Sequence, residues 1–230
     1  MPMTAAHPLA VLPLRRWRLD TTCLVIGSMS PDFEYFLRVE ETSAISHTLL
    51  GLVVFCVPIT LATAWLFHRW LKWPAVRVAP LRTHLATCGA RAWPVQPWWI
   101  LAASALVGAA THLAWDGITH SDGYGPRHIA FLHEHVHGLV LYRVIQHAST
   151  VIGLTVLAIV VVRALRRTPP TAVPPATART YALWAAAVAV CTALSLARVL
   201  ALHLHDPGSF VVAIIDGGLG GWLVASVVTR

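Results

Sequence analysis

Long apolar runs alternate with short arginine-rich connections along this chain. Four runs, near 48–67, 98–115, 181–202 and 209–228, fall within the roughly 17–25 residues that a helix needs to cross a hydrocarbon core. A fifth, near 146–162, is at the short end, but its centre Val151-Ile152-Gly153-Leu154-Thr155-Val156-Leu157-Ala158-Ile159-Val160-Val161-Val162 is almost wholly apolar and reads as a span. The pattern predicts an all-α, polytopic helical membrane protein with about five transmembrane helices and a short or re-entrant helix at its N-terminal end. That N-terminal piece, Leu19 to Ser30, is too short to cross unaided and is terminated by Pro31-Asp32. Either 20–37 crosses, which keeps Arg15, Arg16 and Arg18 inside as the charge rule prefers and leaves His7 on the cytoplasmic face, or it dips in and returns, which places His7 outside with the other histidines and breaks the rule at those three arginines.

The connections orient the spans. Basic residues follow the first run (Arg69, Lys72, Arg77, Arg82, Arg91) and the third (Arg163, Arg166, Arg167, Arg179), and Arg230 closes the sequence. The positive-inside tendency makes 68–97 and 163–180 cytoplasmic loops and 116–145 an outer, histidine-rich loop, all within one membrane domain, 1–230, whose first 47 residues form a motif region. Trp70, Trp73, Trp98, Trp99, Trp115 and Trp184 fall near the expected interfaces, where amphipathic rings are favoured. The Pro-rich stretch 169–175 reads as an extended linker.

Composition agrees with a membrane setting. The chain is 57% hydrophobic and 12% charged, where a soluble domain has roughly 25% charged residues. Its net charge of +7 comes from arginines in the connections, so it reports topology rather than a nucleic-acid partner. Cys23, Cys56, Cys88 and Cys191 form no CxxC pair and suggest neither a zinc ribbon nor a disulfide framework.

The expected topology sorts the histidines. His47, His112, His120, His128, His133, His135, His137, His147, His203 and His205 fall on the non-cytoplasmic side, whereas His68 and His84 fall inside. Ionisable groups at a membrane rim are candidates for function. The sharpest motif is Thr111-His112-Leu113-Ala114-Trp115-Asp116-Gly117-Ile118-Thr119-His120. His112 and Asp116 are four apart and share a helix face, so they can grip one divalent cation or simply hydrogen-bond near a helix end. His120 lies one turn further on. Asp32 and Glu34 reach the same rim just before His47.

Ala6-His7-Pro8, Ser30-Pro31-Asp32-Phe33-Glu34-Tyr35, Ser46-His47-Thr48-Leu49-Leu50-Gly51 and the 111–120 stretch resemble the bacterial membrane family called domain of unknown function 4184. The order His, Pro-Asp, Ser-His, then HxxxD is also similar to predicted inner-membrane metal-dependent hydrolases and, more distantly, to the zinc-dependent phospholipase C and P1 nuclease superfamily. The resemblance implies His7, Asp32, His47, His112 and Asp116 as ligands, a bacterial inner (plasma) membrane location, and His7 outside. No HxxxE follows Asp116, so the remaining ligand candidates are His120, His147 or the His133/His137 pair. Glu40-Glu41-Thr42-Ser43-Ala44-Ile45 stands where membrane relatives commonly carry a histidine and a basic residue.

Such ligands around a divalent metal, zinc by donor type, would acidify a bound water and create a nucleophile toward an ester, including a phosphoester of a lipid or envelope compound. Asp32 is the preferred bridging or base carboxylate, with Glu34 in reserve. Asp122 reads as a turn residue in Ser121-Asp122-Gly123. The alternative is a non-catalytic metal-binding scaffold, assembly or transport protein. Arg198 and Asp216 are expected to form an ion pair between the last two spans, and Gly217 and Gly221 to give a close helix contact.

Overall fold

Long segments that lack charged interruption satisfy their own backbone groups by coiling, and the structure, a computed structural model, is almost entirely helical. It describes residues 3–40, 42–90, 93, 96–204 and 207–229; Glu41, Arg91, His205 and Arg230 lie outside them. The helices are α1 (Pro8–Val11), α2 (Thr21–Gly27), α3 (Phe33–Arg38), α4 (Leu49–Val78), α5 (Arg82–Gly89), α6 (Trp98–Thr119), α7 (Tyr124–His128), α8 (Leu141–Arg167), α9 (Ala178–Ala201) and α10 (Pro207–Val228). Five of them, α4, α6, α8, α9 and α10, are long and apolar enough to cross a membrane.

Helices outlast the apolar runs that announce them. α4 continues to Val78, so His68, Arg69, Lys72 and Arg77 are helical residues instead of loop residues. Its two π turns, Leu52–Cys56 and Phe67–Leu71, have a local cause. Pro58 and Pro74 would clash with the carbonyls four residues back, at Val54 and Trp70, and each of those lies inside a π turn that widens the helix. α6 likewise continues past Trp115, which puts Asp116 on its last turn.

The chain folds into two compact units. The first comprises Met1–Asp32, Ile45–Ala64 and Pro94–Arg163. Here the stretch 20–37 is not one helix: Asp20 caps α2 by accepting the Cys23 N–H at 2.8 Å, α2 ends at Gly27, and a 3₁₀ turn follows at Ser30–Asp32. α2 packs on α6 backbone to backbone. A Cβ at Gly27 would run into Ala105, and one at Gly108 into the Leu24 carbonyl, so both crossing positions require glycine. Leu52, Cys56 and Ala109 form an adjoining apolar core with Phe55 and Leu113.

The 116–145 stretch is compact. After α7 and a 3₁₀ turn at Ala130–His133 comes a hairpin, β1 (His135–Val136) against β2 (Leu139–Val140). His137 and Gly138 form its turn with positive φ angles of 50° and 84°. His133 and His137 therefore do not share a helix face, contrary to the expected pairing, and His133 Nε2 donates to the Pro126 carbonyl at 2.7 Å.

The second unit comprises Phe33–Ala44, Trp65–Trp93 and Ala164–Arg230. α9 and α10 pack closely, with Gly217 against Thr192 and Gly221 against Val188, as the glycine spacing predicts. The expected Arg198–Asp216 ion pair does not form. Arg198 donates to the Leu37 carbonyl at 3.2 Å, and Asp216 accepts from the Ser195 hydroxyl at 2.9 Å. A neighbouring hydroxyl and a carbonyl thus satisfy these polar groups without the two charges meeting.

Candidate metal centre

Three pieces of the first unit deliver four side chains to one point. The HxxxD spacing sets His112 and Asp116 on one face of α6, and that face is buried. The close α2–α6 crossing brings the Ser28 carbonyl to His112, whose Nδ1–H donates to it at 2.8 Å. Since a carbonyl only accepts, this bond fixes the ring and leaves Nε2 facing the carboxylates. Asp32 ends the Ser30–Asp32 turn and is fully buried, and its Oδ2 accepts from the Thr4 hydroxyl at 2.6 Å. His47 precedes α4, and a hydrogen bond between its Nδ1 and Ser46 Oγ (3.0 Å) aims its Nε2 inward.

The distances fit a coordination shell. His112 Nε2 lies 3.1 Å from Asp116 Oδ2 and 3.4 Å from Asp32 Oδ1; His47 Nε2 lies 3.5 Å from Asp32 Oδ1 and 3.8 Å from Asp116 Oδ2. Ligands about 2.0–2.1 Å from a tetrahedral ion stand roughly 3.3 Å apart. Asp32, His47, His112 and Asp116 each offer one atom, all within 4.8 Å of one another, and together could hold a metal ion.

Unmet polar atoms point the same way. His7 Nε2, Asp32 Oδ1, His112 Nε2 and Asp116 Oδ1 are buried without a hydrogen-bond partner. Two buried carboxylates are costly unless compensated. Among the described residues, the ion-pair contacts of Asp32 and Asp116 are with histidines alone. Either protons on the imidazoles or a cation must offset them, and the ligand-like spacing fits the cation. Burial alone would raise the Asp32 carboxyl, but the close approach of the His112 and His47 imidazoles and the hydrogen bond from Thr4 hold it well below the usual carboxylate range.

His7 belongs to this site. It sits between the Thr4–Ala6 turn and α1, stacks on His112 with ring centroids 3.8 Å apart, and points Nε2 at Asp116 Oδ1, 3.7 Å away. Burial, then the neighbouring His112, push its pKa down to about 4, against the upward pull of Asp116 and Asp32. The structure brings His7 together with His112 and Asp116. His120 is also adjacent, with Nδ1 3.6 Å from Asp116 Oδ1, but that nitrogen donates to the Asp116 carbonyl at 3.2 Å.

Two candidates have other surroundings. Glu34 belongs to the second unit, where its Oε1 accepts from Arg38 Nε at 2.8 Å and from the Ala44 N–H at 2.9 Å, bracing the chain after α3. His147 is exposed on α8 and is not one of the four clustered ligands. Thr4 and the Ser28 carbonyl escaped the sequence reading. A threonine three residues before the His-Pro step was a weak signal, and a backbone carbonyl gives none.

No curated protein and no solved structure matches the chain. The family model described as Domain of unknown function (DUF4184) matches residues 1–227, which include every residue of the cluster. The chain therefore belongs to that family over nearly its whole length.

Proposed function

We propose that this protein is a membrane-bound, metal-dependent hydrolase acting on an ester, with a phosphoester of a lipid or envelope compound as the favoured substrate class. The observation that carries the reading is the donor set. It is built from two histidines and two aspartates without cysteine, whereas closed structural zinc sites are typically cysteine-rich. These nitrogen and oxygen donors at tetrahedral spacing suit zinc. A bound divalent cation would supply polarisation of an ester oxygen and acidification of a coordinated water.

The residues take distinct parts. Asp32, His47, His112 and Asp116 would hold the ion through one atom each, and the coordinated water would enter as a fifth ligand. Asp116 Oδ1, turned toward His7 and His120, is placed to accept a proton from water. Asp32 Oδ2 is engaged by Thr4, so Asp32 serves as a ligand, and Glu34 is left with its bracing role. His47, with its side chain 21% exposed, marks the open side through which a substrate reaches the site. The basic residues of 68–97 and 163–180 support a site on the non-cytoplasmic side of the membrane, although Arg15, Arg16 and Arg18 run against it, and the family resemblance supports a bacterial inner membrane.

A scaffold role for the metal is favoured by one observation, the near-complete burial of Asp32 and His112. The two readings separate when wild type, His112→Ala and Asp116→Ala are purified in detergent without chelator. Bound metal is measured, and turnover of phospholipids and simple phosphodiesters is assayed. Metal with turnover, both lost in the variants, supports the hydrolase; metal without turnover supports the scaffold; a metal-free wild type removes both.

A further inference from the structure

A groove of about 380 Å³ adjoins the metal centre, lined by Ala6, His7, Leu9 and Ala10 of the N-terminal segment, Trp115 of α6, and Ile145, Ala148, Ser149 and Ile152 of α8. Its volume is within the range of small-molecule sites. Its walls are almost wholly apolar, and their polar groups are turned on one another: Trp115 Nε1 donates to Ser149 Oγ at 3.3 Å, and Ser149 donates to the Gln146 carbonyl. Ile145, Ala148, Ser149 and Ile152 recur at i, i+3, i+4 and i+7, so one face of α8 forms a wall about two turns long. At its end α8 closes on the N-terminal segment, where a Cβ on Gly153 would press on Ala6.

Two features define the occupant. Ile152 is 57% exposed on a helix long and apolar enough to cross a membrane, so a wall of the groove would face hydrocarbon if that helix spans. His7 is shared: its ring lines the groove while its Nε2 faces Asp116 at 3.7 Å. We infer that this groove seats the hydrocarbon chain of a membrane amphiphile whose ester head lies at the metal centre. The inference rests on the hydrolase reading for the ester, and on the groove alone for the chain. Beyond His7, whose Nε2 faces Asp116, a polar ligand would find little to pair with along these walls, whereas an alkyl chain loses nothing by leaving the bilayer for them.

The test uses the full chain in phosphatidylcholine nanodiscs containing a trace of phosphatidylcholine with a diazirine in its acyl chain. Photolabelling mapped by mass spectrometry is expected to favour Leu9, Ile145 and Ile152 at least fivefold over the exposed Val161 and Val190, and to fall at least fivefold in Ala148→Trp or, should that variant not fold, Ile152→Trp. A parallel assay compares butyl and dodecyl p-nitrophenyl phosphate, with kcat/KM expected to favour the dodecyl ester at least tenfold and to lose that preference in the filled variant. Uniform labelling that the variants leave unchanged overturns the groove assignment, even if both esters are hydrolysed equally well and the hydrolase reading stands. Groove-specific labelling with neither ester hydrolysed retains the chain site and removes the hydrolase.

Discussion

The Nδ1–H of His112 donates to the carbonyl of Ser28, 84 positions earlier in the chain, at 2.8 Å. This one bond ties the α6 ligand pair to the end of α2 and sets the nitrogen that faces Asp32 and Asp116. It also holds a buried imidazole in one orientation, as a metal ligand requires.

Removing ligands and removing their supports should have graded effects. His112→Ala and Asp116→Ala are expected to purify with less than about a tenth of the wild-type metal. Thr4→Val removes only the hydrogen bond to Asp32 Oδ2 and should weaken metal binding by about 10–100-fold, the usual cost of losing a group that orients a ligand. Metal content and competition titration with a chromophoric chelator measure both. A Thr4→Val protein with wild-type affinity would remove Thr4 from the site.

Metal should stabilise the fold, because the cluster joins segments distant in sequence. At a free metal concentration of about 100 times Kd, mass action stabilises the protein by about 2.7 kcal/mol. The wild-type Tm in detergent should therefore fall on adding chelator and recover on adding divalent metal, whereas Asp116→Asn should show neither change. A metal-independent wild-type Tm would count against the site.

Two glycines of α6 should behave oppositely. A methyl at Gly108 meets the Leu24 carbonyl and the Ser28 nitrogen, so Gly108→Ala should cost about 1–3 kcal/mol by overpacking and should also weaken metal binding by moving His112 from Ser28. A methyl at Gly117 meets nothing within 4 Å, so Gly117→Ala should leave both properties near wild type. Thermal unfolding and metal titration of the pair check this.

Thiol reactivity offers a test of the α2 contact that needs no metal. Cys23 is wholly buried, and burial followed by the charge of Asp20 pushes its thiol far above the usual range, while Cys88 is exposed. Since the thiolate is the reacting form, iodoacetamide at pH 8 should alkylate Cys88 in the native protein and leave Cys23 unmodified until denaturant is added. Peptide mass mapping reads the result, and early modification of Cys23 would contradict the packing of α2.

Much of the architecture was legible in the apolar runs, because a span of hydrocarbon length records a local requirement. Helix ends were not, since Arg69 to Arg77 continue α4 in a register that hydropathy does not report. The His112–Asp116 pair was legible for a similar reason: spacing of four on a helix is local geometry. His133 and His137 show the limit of that inference, as the same spacing falls across a hairpin turn. Glu34 and Asp32, two residues apart, also diverge, one holding Arg38 and the other facing His112 and His47.

The sequence by itself determined the five apolar helices, the family, and the histidine and aspartate types available for a metal. The tertiary structure decided which of them meet, because convergence depends on contacts that no local pattern encodes: the glycine-lined crossing of α2 and α6, the carbonyl of Ser28 beneath His112, and the fold of the N-terminal segment that stacks His7 on that ring.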